Sequence, residues 1–362
     1  MLNVVKEFGI FAETRIFIRC LIQNQSITLD LKPDNMKKSS ISRRRFLGTA
    51  AAAAAATVLP VNYSFAIGTQ TKKPNSRFGG VQLGCTTYSY RSMSMKVDDV
   101  IQYLLLAGIN SIELRSVAEE DLGIPAARMT RLGPDATEAE RAEAKKAADS
   151  VREAQRQWRL SLPMSRYEDM RRKFNNAGIN VHIAKFAPAA WSDEEIDYAY
   201  RATKVLGAYG ITDEIGEEAC QRMGKFAEKH NSLAIFHNHA QPAEPGFSFD
   251  KFLAYSPANR LNFDAGHFFG ATGIHPNTII EKYHHVMPSI HIKDKTGPKS
   301  TPANANMPFG EGETPIADIL LLLKKEKWPI NVDIELEYRI PEGSDAAKET
   351  AKCIEYMRNI LE

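Results

Sequence analysis

Short apolar runs alternate with longer segments of helical periodicity from residue 79 to the end of the chain. In the first such pair, an apolar run at 79–88 is followed by apolar residues at helical spacing from Val97 to Leu105, and Gly108 closes that helix. The pattern repeats to give eight strand–helix units, of which the fourth, near 209–215, is weak. This alternation predicts a (β/α)8 TIM barrel. A doubly wound open sheet is the alternative, but its usual glycine-rich phosphate turn after the first strand is missing.

One segment interrupts this alternation between the second and third predicted strands. It is a polar, Ala-rich insertion at about 116–160. Residues 136–158 combine strong helix formers with many charge pairs at i,i+4 spacing, which predicts an exposed helix. We expect the insertion to project from a barrel domain that spans 67–362.

The first 66 residues are predicted to be an N-terminal extension with an export signal rather than part of the fold. Ser42-Arg-Arg-Arg-Phe-Leu-Gly-Thr49 precedes an Ala run and a possible cleavage point after Ala66. The arginine pair before Phe-Leu resembles a twin-arginine signal, so we expect export-machinery recognition and a periplasmic or otherwise exported location. A membrane anchor is the alternative, although 46–60 is short for a bilayer span. Residues 36–38 would make a conventional start, which raises the hypothesis that 1–35 is not translated.

Charge and cysteine usage argue against two other classes of protein. Residues 1–66 contain nine Lys and Arg but four Asp and Glu, a net charge of +5 against +2 for the whole chain, so the remainder carries about −3. An acidic body lacks the basic face that nucleic-acid binding needs. Three scattered cysteines in that part, Cys85, Cys220 and Cys353, predict neither a disulfide framework nor a zinc knuckle.

Four apolar runs in the second half end in ionisable residues: 233–240, 260–268, 289–295 and 331–338. In a barrel, functional groups gather where strands end. Burying such groups unpaired costs several kcal/mol or changes their protonation, and a shared cation satisfies them together. Because side chains alternate along a strand, His237 and His239 share one side of theirs. The pattern therefore predicts a metal site at the mouth.

The segment Asp264-Ala-Gly-His267 is the most specific of these elements. A carboxylate ends the strand, a Gly permits a tight exit, and an imidazole returns over the mouth. Taken alone, Asp264 could be a helix cap and His267 an ordinary loop histidine. Together with His291 and Glu335 on the next two strands, a ligand set is the favoured interpretation.

These residues resemble the xylose-isomerase-like family of barrels, the sugar isomerases and epimerases. The resemblance covers about 80–360 and depends on the motifs His-Asn-His, Asp-x-Gly-His, His-x-Lys-Asp and Ile-Glu-x-Glu in that order. It implies that Asp264, His291 and Glu335 bind one divalent cation. It also implies that His267 contacts substrate and that Lys293 lies where a substrate-contacting residue would sit.

The fifth strand departs from the family pattern. Many relatives carry a Glu there as the fourth ligand and as one of two bases, whereas this chain has no acid until Glu244. His239 or His237 could take the position, and we expect His239, with His237 then contacting substrate. The loss of that Glu puts a symmetric two-base mechanism in doubt.

Three more residues near the mouth are candidate substrate contacts: Glu113, Glu337 and Tyr88. The ordinary alternative for Glu113 is a surface or salt-bridged acid. Tyr88 and Tyr90, with Phe268 and Phe269, could form apolar walls for a sugar ring, and core packing is the alternative for them.

A mixed His, Asp and Glu shell suits Mn²⁺, Zn²⁺, Co²⁺ or Fe²⁺ better than Ca²⁺, and we expect Mn²⁺ or Zn²⁺. Such an ion polarises a carbonyl or hydroxyl pair. Glu335 would move a proton at the neighbouring carbon, while Lys293 and His267 would donate to the developing oxyanion.

The leading interpretation is therefore a metal-dependent isomerase or epimerase of a keto sugar or derivative. Because members of the family often pair, the resemblance also implies that the protein could form a homodimer. A lyase or hydratase acting on 3-keto glycosides with the same metal site is the second. The family's DNA-repair endonucleases need a basic face and more ligands, which argues against them. A non-catalytic exported sugar-binding barrel is a further alternative.

Overall fold

The computed structural model describes residues 73–115, 117–126, 132–133 and 135–362. Eight parallel strands pair in chain order, and the first also pairs with the last, so the sheet closes on itself. The strands are β1 (Val81–Thr86), β2 (Ser111–Arg115), β3 (Asn180–Lys185), β4 (Gly210–Glu214), β5 (Leu233–His237), β6 (Asn259–Asp264), β7 (Ser289–Ile292) and β8 (Asn331–Ile334). The prediction of a (β/α)8 barrel is confirmed.

Helices separate the strands and cover the barrel. They are α1 (Val97–Ala107), α2 (Val117–Leu122), α3 (Glu138–Ser161), α4 (Ser165–Ala177), α5 (Asp193–Leu206), α6 (Glu217–His230), α7 (Phe249–Leu253), α8 (Ala265–Thr272), α9 (Asn277–Tyr283), α10 (Ile316–Glu326) and α11 (Ala346–Leu361). A short strand, Arg77–Phe78, pairs antiparallel with β1, and a two-stranded ribbon joins Asp294–Lys295 to Asn306–Met307.

Local signals explain where these helices begin and end. The buried side of α1 carries Val97, Val100 and Leu104, and Gly108 follows in a left-handed conformation with φ 70°. Helix α5 begins at Asp193, and Ser192 caps it through a reciprocal pair of hydrogen bonds with Glu195.

The polar insertion contains the longest helix among the described residues, α3. It begins with a capping box between Thr137 and Glu140. Arg159 is the buried residue of this helix, and its guanidinium contacts Glu119 Oε1 at 2.8 Å and Glu195 Oε1 at 2.9 Å. These ion pairs attach the end of α3 to α2 and α5.

Two further predictions concern the N-terminal segment and the cysteines. The predicted export segment at 1–66 lies outside the described residues. Within the described residues, no helix is both long and apolar enough to cross a bilayer. Cys85, Cys220 and Cys353 are buried free thiols.

Candidate metal centre

Four side chains at the ends of neighbouring strands converge inside the mouth of the barrel. His237 ends β5, Asp264 ends β6, His291 lies in β7, and Glu335 directly follows β8. One nitrogen or oxygen atom from each lies within 4.8 Å of the others, and all four residues are buried. His237 Nε2 is 3.2 Å from Asp264 Oδ2, and His291 Nδ1 is 3.1 Å from Glu335 Oε2. The side chains point towards one another, as a shared cation requires.

The fifth strand contributes His237 to this cluster, whereas the expectation was His239. Strand β5 ends at His237, which is 1% exposed, while the side chain of His239 is 48% exposed two residues further on. His239 instead contacts Glu214 Oε2 through Nδ1 at 3.1 Å. The geometry therefore favours His237 as the fourth ligand, because only its ring turns into the barrel with the other three.

Each histidine of the cluster has a carboxylate behind it. His291 directs Nδ1 into the cluster, and its Nε2 is 3.0 Å from Glu113 Oε2. His237 directs Nε2 into the cluster, and its Nδ1 is 3.3 Å from Glu214 Oε2. Metal-binding histidines usually donate their second N–H to a carboxylate in this way, which fixes the ring and its tautomer.

Asp264 has two roles at the end of β6. Its Oδ1 accepts a hydrogen bond from the backbone N–H of His267 at 2.7 Å and so caps α8, while Oδ2 faces His237. Asp264 therefore caps a helix with one carboxylate oxygen and directs the other into the four-residue cluster. Gly266 is needed for close packing rather than for a turn, because a Cβ there would lie 2.7 Å from the carbonyl oxygen of Lys293.

Lys293 is buried among the carboxylates of the mouth. Its Nζ lies 2.6 Å from Glu335 Oε2, 2.9 Å from Asp264 Oδ2 and 2.9 Å from Glu337 Oε2. Burial alone would lower the pKa of Lys293, but the three carboxylates raise it above its ordinary value. The ammonium group therefore stays charged at neutral pH.

The outer part of the cluster is a histidine–carboxylate pair. His267 Nε2 lies 3.3 Å from Glu337 Oε2, and these side chains are 14% and 18% exposed. Burial would raise the pKa of Glu337, but neighbouring His267 and Lys293 lower it to about 2. Both side chains are more accessible than that of Glu335, which is 6% exposed.

The two buried histidines respond to the surrounding negative charge. Burial and nearby Lys185 would lower the pKa of His237, but hydrogen bonds with carboxylates, that of Asp264 first, raise it to about 9. Burial likewise opposes the charged form of His291, yet Glu113 and Glu335 raise its pKa well above the ordinary value.

The charge balance of the site fits a divalent cation. Lys185 and Lys293 supply two positive charges against five carboxylates, which leaves an excess of three negative charges when both histidines are neutral. The five carboxylates are those of Glu113, Glu214, Asp264, Glu335 and Glu337. Proton uptake by the histidines offsets part of this excess, and a metal ion would offset it while leaving the histidines neutral, as ligands must be.

The other predicted substrate contacts have different surroundings from those expected. Glu113 is fully buried, and Asn262 Nδ2 donates to its Oε2 at 2.6 Å, so it is not a surface acid. The ring of Tyr88 does not present a bare apolar wall: the guanidinium carbons of Arg115 and Arg91 lie 4.0 and 4.3 Å from its centroid. Tyr90 packs in the core, as its alternative interpretation stated.

Sequence reasoning missed Glu214, Lys185 and Asn262. Glu214 ends β4, whose apolar pattern is weak, and Lys185 ends β3; Lys185 Nζ contacts Glu214 Oε1 at 2.8 Å. Their positions at strand ends were the available signal. Asp333 alternates with Glu335 and Glu337 along the chain, but it lies deeper in the barrel, where its Oδ2 contacts His182 Nε2 at 2.9 Å.

Comparison with known proteins agrees with this architecture. The profile of the xylose isomerase-like TIM barrel family matches residues 210–360, which contain β4–β8 and all four clustered residues. No curated protein matches the sequence. The family profile supports the resemblance drawn from the motifs.

Three solved structures have the same fold. A sugar phosphate isomerase/epimerase from Parabacteroides distasonis ATCC 8503 is 16% identical over 84% of this chain and 100% of its own, with a TM-score of 0.52. The probable 3-DHS dehydratase AsbF from Bacillus anthracis is 12% identical over 76% and 98%, with a TM-score of 0.51. D-psicose 3-epimerase from Clostridium cellulolyticum H10 is 10% identical over 78% and 100%, with a TM-score of 0.51. At these identities the similarity shows the fold alone.

Proposed function

We propose that this protein is a divalent-metal-dependent isomerase or epimerase that moves a proton next to the carbonyl of a keto sugar or a close derivative. The observation that carries the proposal is the buried convergence of His237, Asp264, His291 and Glu335, with a carboxylate behind each histidine. Mn²⁺ and Zn²⁺ suit this mixed nitrogen and oxygen set.

The remaining groups have defined parts in proton transfer. The bound cation would supply Lewis-acid polarisation of a substrate carbonyl or hydroxyl. Glu335 and Glu337 lie on the β8 side of the mouth, where a carboxylate can take a proton from the carbon beside that carbonyl. We assign to Lys293 and His267, which lie 2.9 and 3.3 Å from Glu337 Oε2, the donation of a hydrogen bond to a substrate oxygen. Glu337, the more accessible acid, is the stronger candidate for a base that does not also bind metal.

A lyase or hydratase acting on 3-keto glycosides is the second candidate, and one feature favours it. Glu335 and Glu337 stand on the β8 side of the mouth, while β5 presents His237 in place of an acid. Elimination needs one base and one acid: the base takes the proton beside the carbonyl, the β C–O bond breaks, and the leaving oxygen takes a proton. Glu337 and His267, 3.3 Å apart, could fill these two roles.

The test is metal analysis of the purified protein together with a screen of keto sugars and 3-keto glycosides in deuterated water. An isomerase or epimerase incorporates solvent deuterium at the carbon beside the carbonyl and yields an isomer. A lyase instead releases a free or unsaturated sugar. Metal binding with neither outcome would support a non-catalytic sugar-binding barrel.

We also propose that the chain is exported by the twin-arginine machinery and acts in the periplasm on a small carbohydrate. The support is the sequence at Arg44-Arg45-Phe46-Leu47 and the apolar run after it. Replacing Arg43, Arg44 and Arg45 by lysine should leave a folded, metal-binding precursor inside the cytoplasm. Unchanged export of that variant would argue against this route.

A further inference from the structure

A cavity of about 340 Å³ lies beside the candidate metal centre, among the ends of β2, β3 and β4. Its lining includes Leu114, Arg115, Lys185, Phe186, Ala187 and Glu214. Glu214 belongs to both regions, since its Oε2 is 3.3 Å from His237 Nδ1. The cavity is therefore separated from the four-residue cluster by a single carboxylate, and a molecule bound at the mouth could extend into it.

Two cations and two carboxylates line this cavity, but the pairing among them leaves Arg115 without a carboxylate. Glu119 also lines it, but its two oxygens are held by Arg159 at 2.8 and 3.2 Å. Glu214 is held by Lys185 at 2.8 Å. Within the described part of the chain, no carboxylate pairs with the guanidinium of Arg115. One unpaired cation therefore remains in a concave site next to the proposed reaction centre.

Arg115 is held in place without an acid. Its guanidinium carbon lies 4.0 Å from the ring centroid of Tyr88. Its backbone is fixed as well, because its N–H donates to Thr87 Oγ1 and its carbonyl accepts from the same hydroxyl, each at 2.8 Å. A guanidinium stacked on an aromatic ring keeps its forked N–H donors available for another partner. Such a fork matches the two oxygens of a carboxylate.

We propose that this cavity binds a carboxylate of the substrate, so that the enzyme acts on an acidic sugar derivative and Arg115 determines that specificity. The inference rests on the proposed function, because it takes the other end of the substrate to react at the candidate metal centre. The cavity is large enough for a ring-sized group, and Leu114 and Phe186 provide apolar wall beside the cation. The carboxylate could belong to the reacting sugar or to the group joined to it.

Direct binding measurements test this without requiring turnover. The probes are D-glucose, D-glucuronate, a carboxyphenyl glucoside, its neutral phenyl analogue and glucose 6-phosphate, measured by calorimetry or saturation-transfer NMR on the metal-loaded protein. We expect at least one acid to bind about tenfold more tightly than its neutral counterpart, as one charge-assisted bidentate contact provides. The acid that is preferred identifies where the carboxylate sits.

Variants then assign the preference to Arg115. Arg115→Met should remove it while leaving the affinity for the neutral sugar unchanged, and Arg115→Lys should retain part of it. Arg171→Met, on the exposed side of α4, is the matched control and should behave as wild type.

Several outcomes would overturn the proposal. These are equal binding of acids and neutral sugars by the wild type, survival of the preference in Arg115→Met, or tighter binding of the phosphate than of either carboxylate. Failure of the proposed function is seen separately, as absence of metal and of deuterium incorporation with every sugar tested.

Discussion

Replacing Glu113 by Gln tests whether His291 binds metal through Nδ1. Glu113 Oε2 is 3.0 Å from His291 Nε2 and 2.6 Å from Asn262 Nδ2, inside a fully buried site. The substitution preserves shape and leaves an amide oxygen that can still accept a hydrogen bond. It removes the negative charge that orients the imidazole and makes it a better ligand.

The expected size follows from that contact. A hydrogen bond to a charged partner contributes roughly 1.5–3 kcal/mol and a neutral one roughly 0.5–1.5 kcal/mol, so the exchange costs about 1–2 kcal/mol. Loss of a carboxylate behind a metal-binding histidine typically weakens metal affinity by about 10–100-fold, or about 1.4–2.7 kcal/mol. The two free-energy ranges overlap, and we expect the dissociation constant for Mn²⁺ to rise by about 10–100-fold.

The assay is competition titration of Mn²⁺ against a chelator, with thermal unfolding at fixed metal concentration as a second readout. The metal-dependent gain in unfolding free energy should shrink by the same amount as the binding free energy. Glu349→Gln is the matched control, since Glu349 is a buried carboxylate of α11 that accepts the Tyr338 hydroxyl at 2.8 Å. A dissociation constant for Glu113→Gln within about threefold of wild type would refute the reasoning about His291.

Three further predictions concern the same mouth. Glu337→Gln should keep metal affinity but slow deuterium incorporation by about 10²–10⁴-fold, as loss of a general base does; unchanged incorporation would remove Glu337 from catalysis. His237→Ala should lose metal while His239→Ala retains it. Elemental analysis showing the reverse would make His239 the fourth ligand, as expected from the sequence. Because the pKa of His237 is raised to about 9, the metal-free ring is protonated at neutral pH and metal must displace that proton. Metal must displace a proton from His291 as well, because its pKa is also raised well above the ordinary value. Affinity for Mn²⁺ should therefore rise between about pH 6 and 8 by up to about tenfold per pH unit for each histidine proton displaced, and a flat profile would contradict histidine ligands with raised pKa values.

The fold was predictable because its signal is distributed along the whole chain. Strand and helix periods alternate eight times, and even the weak fourth strand appears as β4 at Gly210–Glu214. Helix α8 was not predicted, since Ala265–Thr272 is short and follows its strand without a loop. Its first turn depends on the Asp264 carboxylate, a tertiary feature of the site rather than a propensity of the segment.

The residues of the candidate site were predictable where strand ends and motif spacing agree. They were less predictable where the direction of a side chain determines whether it joins the cluster. His237 and His239 share a side of the extended chain, so alternation alone could not separate them. The separation comes from where β5 ends, which leaves His237 inside the barrel and His239 beyond it. Glu214 and Arg115 gain their importance from neighbours on other strands, and such contacts are not visible in a linear pattern.

Metal stoichiometry tests the central claim most directly. Purified wild-type protein, equilibrated with Mn²⁺ or Zn²⁺ and freed of excess ion, should hold about one ion per chain by elemental analysis. Asp264→Asn should fold, as judged by circular dichroism, and hold little, because it removes a ligand charge that no neighbour replaces. A wild-type protein without tightly bound metal, or full occupancy in folded Asp264→Asn, would contradict a metal centre built from these four side chains.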